Sequence, residues 1–505
     1  MTAALLGRRA ARALPRPAPA LALAPLLLSA VALRYSLGGP LPPGDGGLFY
    51  LIGRQLAASF PRLPAHVHFS GMDLPVGYPP LGFYLAALLA KAGMPLDEAM
   101  RYLPLAAVLA TAGVAALLLR ELASSQAAAA LAALLLVGLP RFWAGQLAGG
   151  GITRAPGLLL CLVAWLLAAR ARGRQRPVLL AGAAAGLALL FHPEMGVYAV
   201  AGLAFLVLLR APAGERRRAL LQAAAGAAAA ALSAPWWGWV VAQHGAGLLV
   251  GAAAGSQGGW ELRFLAPLLP PVYGEAVPWP VSVIVMAGAV AAAVAAGKRW
   301  PLVMALWLVL ADPRKGTVVA TLPLALGAGE ALAALVRGSE RATFLLTGCL
   351  AALSLWSGLT ARTAPTWPLE KVAAGDVAAM RAAGGEGGTV LVLSGVQWAR
   401  DSWSDWGPAL SGREYLLTVQ GSEWLGGKEF GARRERYRQV QECAAAGDVA
   451  CLEGWLGELR PAAVWVLRTC PCPGVEEWLR QRGAVAAGNG VYLVGGRDGA
   501  RILSS

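Results

Sequence analysis

After its first long apolar segment the chain places one carboxylate in a turn of prolines and glycines, Pro42-Pro43-Gly44-Asp45-Gly46-Gly47. An aspartate so placed has two uses. It can accept an amide of the helix that starts near Leu48 and cap it. It can instead stand just outside a bilayer as a general base, with glycines that let the backbone turn tightly and a ligand approach the carboxylate. Other ionisable residues sit at the ends of later apolar segments. His192-Pro193-Glu194 closes one segment and opens the next, so the pair either caps and meets water or belongs to a site at the bilayer edge. Gly149-Gly150-Gly151-Ile152-Thr153-Arg154 puts a cation at a helix start, against the helix dipole, which points to an anionic partner. Asp312-Pro313-Arg314-Lys315 is a charged loop between two apolar segments. Arg314 can grip a phosphate through two parallel hydrogen bonds and Lys315 as a point charge; the other reading pairs them with Asp312. His66-x-His68 is half of a metal site without an acidic partner, so no metal and no other cofactor is expected.

Composition says what must hold these residues. Of 505 residues, 57% are hydrophobic and only 14% charged, with mean hydropathy +0.56; a soluble globular chain carries about 25% charged residues. The chain is therefore a polytopic α-helical membrane protein. Its net charge of +15 sits at the ends of apolar segments, as orientation by positive residues requires, and is no nucleic-acid signal. Arg8, Arg9, Arg12 and Arg16 precede the first segment, about 18–37, which reads as a retained helix with a cytoplasmic N-terminus. Later segments fall at about 102–119, 124–140, 155–169, 178–192, 195–209, 219–241, 281–297, 301–311, 317–336 and 342–361.

The stretch 79–93 has only about 15 residues, short for a hydrocarbon core of roughly 30 Å. If it does not span, five basic loops fall on the cytoplasmic side: Arg120; Arg170 to Arg176; Arg210 to Arg218; Lys298 and Arg299; Arg337 and Arg341. If it spans, all five fall outside. The first arrangement obeys the charge rule. It gives about eleven spans, a large first external loop at about 38–101, and an external C-terminal part. The expected division is a transmembrane domain over 1–361 and an extracytoplasmic α/β domain over 362–505. Strand-like runs there are Thr389–Ser394, Ala463–Leu467 and Gly490–Val494, with amphipathic helices between them. Trp398, Trp403, Trp406 and Trp424 are either its core or platforms for sugars. Cys443, Cys451, Cys470 and Cys472 form two disulfides if that side is oxidising. Cys443 with Cys451 is the preferred pair, and cross-pairing to the last two stays open. In this arrangement Tyr78, Arg101, Arg154, His192 and Glu194 face the same side as Asp45.

A first helix, a large first loop with Gly44-Asp45-Gly46 near its start, the segment Tyr78-Pro79-Pro80-Leu81-x-x-Tyr84, many helices and a C-terminal external domain together resemble the GT-C glycosyltransferases. That superfamily includes protein O-mannosyltransferases and the aminoarabinose transferase of lipid A. The resemblance implies a glycosyltransferase that moves a sugar from a polyprenyl-phosphate donor to an extracytoplasmic lipid, glycan or protein acceptor. It puts Asp45 at the catalytic acidic position and Arg314 and Lys315 at the polyprenyl phosphate. Tyr78, Arg101, Arg154, His192 and Glu194 then complete the substrate site. No second acidic residue stands beside Asp45, which argues against a metal-dependent variant. The expected partners are the lipid-linked donor and membrane lipids, with no nucleic acid, in the cell membrane. The competing class is a non-catalytic membrane scaffold, or a lipid- or glycan-binding or transport protein.

Overall fold

The computed structural model describes residues 18–42, 46–171, 175–210, 215–256, 279–295, 297–312, 316–360, 372–382, 388–467, 470–488 and 490–494. Most of them are helical. The bundle consists of α1 (Ala18–Ser36), α4 (Leu96–Leu122), α5 (Gln126–Val137), α7 (Gly151–Ala171), α8 (Gln175–Phe191), α9 (Pro193–Arg210), α10 (Glu215–His244), α12 (Trp279–Ala295), α13 (Trp300–Ala311), α14 (Thr317–Leu335) and α15 (Glu340–Thr360). These helices are apolar all round, so lipid gives them no amphipathic stripe to bury. Small residues bring them together. A Cβ on Gly182 would stand 2.5 Å from the Ala225 carbonyl oxygen of α10, and one on Gly288 would stand 2.8 Å from Ala328 of α14.

Among the described residues four helices are long and apolar enough to cross a membrane: α4, α7, α14 and α15. A fifth span arises if α5 is counted with the short helical run Pro140–Gln146 beyond it. That pair is bent by 78°, whereas the sequence reads as straight through 140. Gly138 and Pro140 supply the reason, since proline lacks the amide a continuing helix needs. Six further apolar helices are shorter, among them α8, α9 and α13. The count of about eleven draws on these and exceeds what length and composition alone assign.

Two ends of the bundle differ in chemistry. At one end Arg170 Nε donates to Glu121 at 3.1 Å, and Lys298 Nζ meets the buried Glu330 at 2.5 Å. Glu330 also accepts from the Ser124 amide at 2.6 Å. The loops after α4, α7, α12 and α14 therefore gather at this end. At the other end lie α2 (Gly46–Ser59), the hairpin β1 (His66–Phe69) with β2 (Met72–Pro75), and α3 (Leu81–Lys91). The 11 residues of α3 rise about 16 Å, about half of a hydrocarbon core. The hairpin turns through Ser70 and Gly71, both with positive φ, and Ser70 Oγ donates to Thr418 Oγ1 at 3.1 Å.

On this end sits a five-stranded sheet in the order β4-β3-β5-β7-β6, with β3 (Thr389–Leu393), β4 (Glu414–Tyr415), β5 (Ala463–Val466), β6 (Val485–Gly488) and β7 (Val491–Leu493). β3 is parallel to β4 and β5, and β7 is antiparallel to β5 and β6. β3 is apolar at nearly every position because both sheet faces are covered. Val390 and Val392 join α2, α3, the hairpin and α17 (Ser402–Ser411) in one core. Leu391 and Leu393 join α18 (Gly427–Ala446), α19 (Val449–Leu459) and α20 (Val475–Gln481) in another. Cys443 is bonded to Cys451 and Cys470 to Cys472. The expected boundary at 361/362 falls on residues outside the described set.

The junction between sheet and bundle is close enough to be tested by adding single methyl groups. A Cβ on Gly47 would land on the backbone carbonyl of Asp405, while one on Gly53 would meet only Leu96 side-chain atoms at 3.5 Å. Gly47→Ala is expected to destabilise the protein by about 1–3 kcal/mol. Gly53→Ala, in the same helix, is expected to leave stability unchanged or raise it by up to about 1 kcal/mol. Thermal unfolding of the two variants in one detergent gives the comparison, and equal shifts would contradict it.

Candidate active site

The turn around Asp45 is held from the sheet side. Asp401 caps α17 by accepting the amides of Trp403 and Ser404 at 3.1 and 3.0 Å. One turn further, the buried Asp405 accepts the Gly47 amide at 2.6 Å, and Trp406 donates through Nε1 to the Pro42 carbonyl at 3.0 Å. These contacts clasp the turn on both sides of Asp45, which itself lies outside the described residues, as does Gly44. An N-terminal amide of α2 is thus capped from another element. The space beside Gly46 and Gly47 is filled by Trp406 and Asp405. The sequence reading that these two glycines make room for a ligand is therefore corrected: they make room for α17. Nothing near Gly47 in the sequence signals this, because its partner Asp405 lies 358 positions away.

Tyr78 stands in an aromatic group beside the same turn, with ring centroids 4.8 Å from Phe49 and 4.8 Å from Trp424. The Gly77 carbonyl accepts Trp236 Nε1 of α10 at 3.2 Å. Gly82 lets α3 lie against the start of α7, since a Cβ there would stand 2.6 Å from the Ile152 carbonyl. The Tyr78 segment and the first turn of α7, which carries Arg154, are thereby joined. One turn along α7, Gly157 faces Met195 and the Cβ of His192. His192 is buried, with Nδ1 4.0 Å from Glu194 Oε2. One turn along α9, Tyr198 OH donates to Asp312 Oδ2 at 2.5 Å. So Arg154, His192, Glu194 and the first residue of the Asp312–Lys315 loop follow one another across α7, α9 and the end of α13. Arg314 and Lys315 lie outside the described residues.

Comparison with known proteins bears on this arrangement. Residues 78–239, which contain Tyr78, Arg101, Arg154, His192 and Glu194, match the family described as dolichyl-phosphate-mannose-protein mannosyltransferase. No curated protein sequence matches the chain. Among solved structures, the oligosaccharyltransferase AglB from Archaeoglobus fulgidus, in complex with an inhibitory peptide and a dolichol-phosphate, aligns over 89% of this chain and 69% of its own. The TM-score is 0.50 at 14% identity. The arabinofuranosyltransferase AftD from Mycobacteria aligns over 91% of this chain at TM-score 0.52 and 17% identity, but over only 36% of its own length.

This is the GT-C glycosyltransferase fold.

Within this fold the remaining sequence candidates have defined partners. Arg101 of α4 donates to the carbonyl of Gly39 at 2.9 Å and to that of Pro40. It ties down the stretch leading to Asp45. Trp403 and Trp406 are buried core, Trp424 packs on Tyr78, and Trp398 is half-buried on the opposite sheet face. His66 and His68 both project from the exposed face of β1 but reach different neighbours. His66 meets the His244 ring at 5.1 Å, and His68 lies 3.7 Å from Glu414.

His244 ends α10 beside the hairpin, beyond the apolar part of the helix. Burial lowers its pKa, repulsion from a protonated His66 lowers it further, and a backbone contact to Ala65 partly opposes both. A lowered histidine pKa means that the unfolded or undocked chain binds the proton more readily, so the contact is favoured at high pH and lost on acidification. The hairpin should therefore loosen from α10 as pH falls below the ordinary histidine value of about 6.5. Faster amide exchange of 65–69 at pH 5.5 than at pH 7.5, after correction for intrinsic rates, is the expected result. His244→Gln should remove the pH dependence.

Proposed function

We propose that the protein transfers a sugar from a polyprenyl-phosphate donor to an extracytoplasmic lipid, glycan or protein acceptor. The observation that carries this reading is the continuity of Arg154, His192, Glu194 and Asp312 across three helices, inside or beside the segment that matches a sugar-transferring family. AglB, with a similar fold, is described as a complex with dolichol-phosphate, which supports a lipid-phosphate donor. Asp45 takes the proton of the acceptor hydroxyl as that oxygen attacks the anomeric carbon. The bond from the anomeric carbon to the phosphate oxygen breaks, and its electron pair leaves with the phosphate. Arg154, Arg314 and Lys315 stabilise the charge that develops there. A phosphate leaving group needs little protonation, so one base and a cationic clamp suffice. Tyr78 lines the approach, His192 and Glu194 orient the donor, and Arg101 positions the turn.

The reaction then lies outside the cytoplasm. The N-terminus is cytoplasmic, about eleven helices span, and 362–505 form an extracytoplasmic domain. The gathering of basic loops at the opposite end of the bundle supports this orientation. So do two cysteine pairs on the sheet side, which suit an oxidising compartment. Impermeant thiol reagents test it: a cysteine introduced at Arg172 should be labelled only from the cytoplasmic side, and one at Gly412 only from outside.

Asp45→Asn tests the chemistry. Asparagine caps a helix about as well as aspartate but cannot take the proton. The variant should express and unfold like the wild type and lose about 10²- to 10⁴-fold in transfer rate. The assay is transfer from polyprenyl-phosphate sugars to endogenous acceptors in membranes. Wild-type transfer by Asp45→Asn would remove Asp45 from the mechanism.

A further inference from the structure

A cavity of about 400 Å³ opens between the loop that leaves β3 and α18, on the sheet face turned away from α2. It lies at the carboxyl end of β3, which has a parallel neighbour on each side. Crevices at the carboxyl ends of parallel strands are where such sheets hold ligands. The floor is fixed by hydrogen bonds. Gln441 Oε1 accepts the amides of Ser394 and Gly395 at 2.9 and 2.8 Å, and Tyr437 OH donates to Asp401 at 2.8 Å. Burial and the Asp401 carboxylate hold the Tyr437 phenol well above its ordinary pKa, so it stays neutral. The walls differ in kind. Trp398 is half-buried and packs edge-on against Phe430 at 5.6 Å, and Arg434 lies over the same Phe430 ring. Arg438 is paired with both Glu435 and Glu442 along α18.

The charges decide what fits. The lining carries two guanidiniums, Arg434 and Arg438, and two carboxylates, Glu435 and Glu442, so it selects no net charge. It offers an aromatic ring next to planar donors and acceptors on a rigid floor. That combination suits an uncharged, hydroxyl-rich ring with one apolar face. We propose that this cavity is a carbohydrate-binding site for a neutral sugar unit, separate from the Asp45 turn. Its floor is tied to α17, because Asp401 also caps that helix. A role in holding the acceptor glycan rests on the transferase reading above; binding itself does not.

The test is saturation-transfer NMR on the full chain in lipid nanodiscs. The probes are methyl glycosides of mannose, galactose and arabinofuranose, with methyl glucuronide as the charged control. At least one neutral glycoside should receive saturation and the glucuronide should not. Trp398→Ala should weaken that signal about tenfold or more. Ala445→Trp, which fills the mouth from an exposed position on α18, should abolish it without lowering the unfolding temperature. Asp45→Asn should leave it intact, which separates this site from the catalytic reading. Absence of saturation with every neutral glycoside, a signal indifferent to Ala445→Trp, or preference for the glucuronide would each overturn the proposal.

Discussion

One contact joins the two halves of the molecule at the place where chemistry is proposed: the Asp405 carboxylate on the Gly47 amide, with Trp406 lying where Gly46 has no side chain. The magnitudes divide the work between them. A buried indole removes roughly 150–250 Å² from water, which is about 4–6 kcal/mol gross. A hydrogen bond from an amide to a charged acceptor contributes about 1.5–3 kcal/mol net. Packing therefore supplies most of the attraction between α17 and α2. The carboxylate supplies direction, because only one approach of the helix places it on the amide.

That direction depends on how firmly α17 is held from behind. Its first turn is capped by Asp401, its last residue is followed by Gly412 in a left-handed conformation, and Gly407 lets the Tyr415 ring lie against the helix backbone. Burial pushes the Tyr415 phenol up to about 12, against weaker pulls from Ser411 and Arg413, so no charge develops under the helix at physiological pH. Behind α17 the sheet is anchored on both faces, to the first loop on one side and to α18, α19 and α20 on the other. Pro42 and Gly47, which flank Asp45 in the chain, thus rest on a series of packed elements.

The apolar helices were legible in the sequence because a lipid environment makes them so. Apolar runs bounded by charge are long signals, and expected limits such as 301–311 and 317–336 differ from Trp300–Ala311 and Thr317–Leu335 by one residue. The strands at 389, 463 and 491 were legible for the same reason: covered on both faces, they read as continuous apolar runs. The first hairpin was not. Its strands have four residues each, too few for an alternation to stand out, and its only mark was the dipeptide Ser70-Gly71. The candidate site was legible in part. Arg154, His192 and Glu194 announced themselves as ionisable residues at helix ends. Asp405 and Trp406 did not, since a tertiary contact across hundreds of residues leaves no local pattern. The glycines beside Asp45 were noticed for the wrong cause.

The partners of the carboxylates bear on where an anion can bind. At the basic end Glu121 and Glu330 are matched with Arg170 and Lys298, so cation and anion cancel locally. At the sheet end both kinds of partner occur: Arg381 meets Asp97 and Arg438 meets Glu435 and Glu442, while other carboxylates are held by neutral donors. Asp401 is satisfied by two amides and by hydroxyls of Ser394, Ser404 and Tyr437, and Asp312 accepts from the Tyr198 hydroxyl. Neutral donors stabilise a carboxylate without consuming an arginine. A cation kept out of a local ion pair keeps its field for a ligand, and in a site of low dielectric that field is worth far more than in water. A transferase whose leaving group is a phosphate needs such cations on the side where the sugar is handed over.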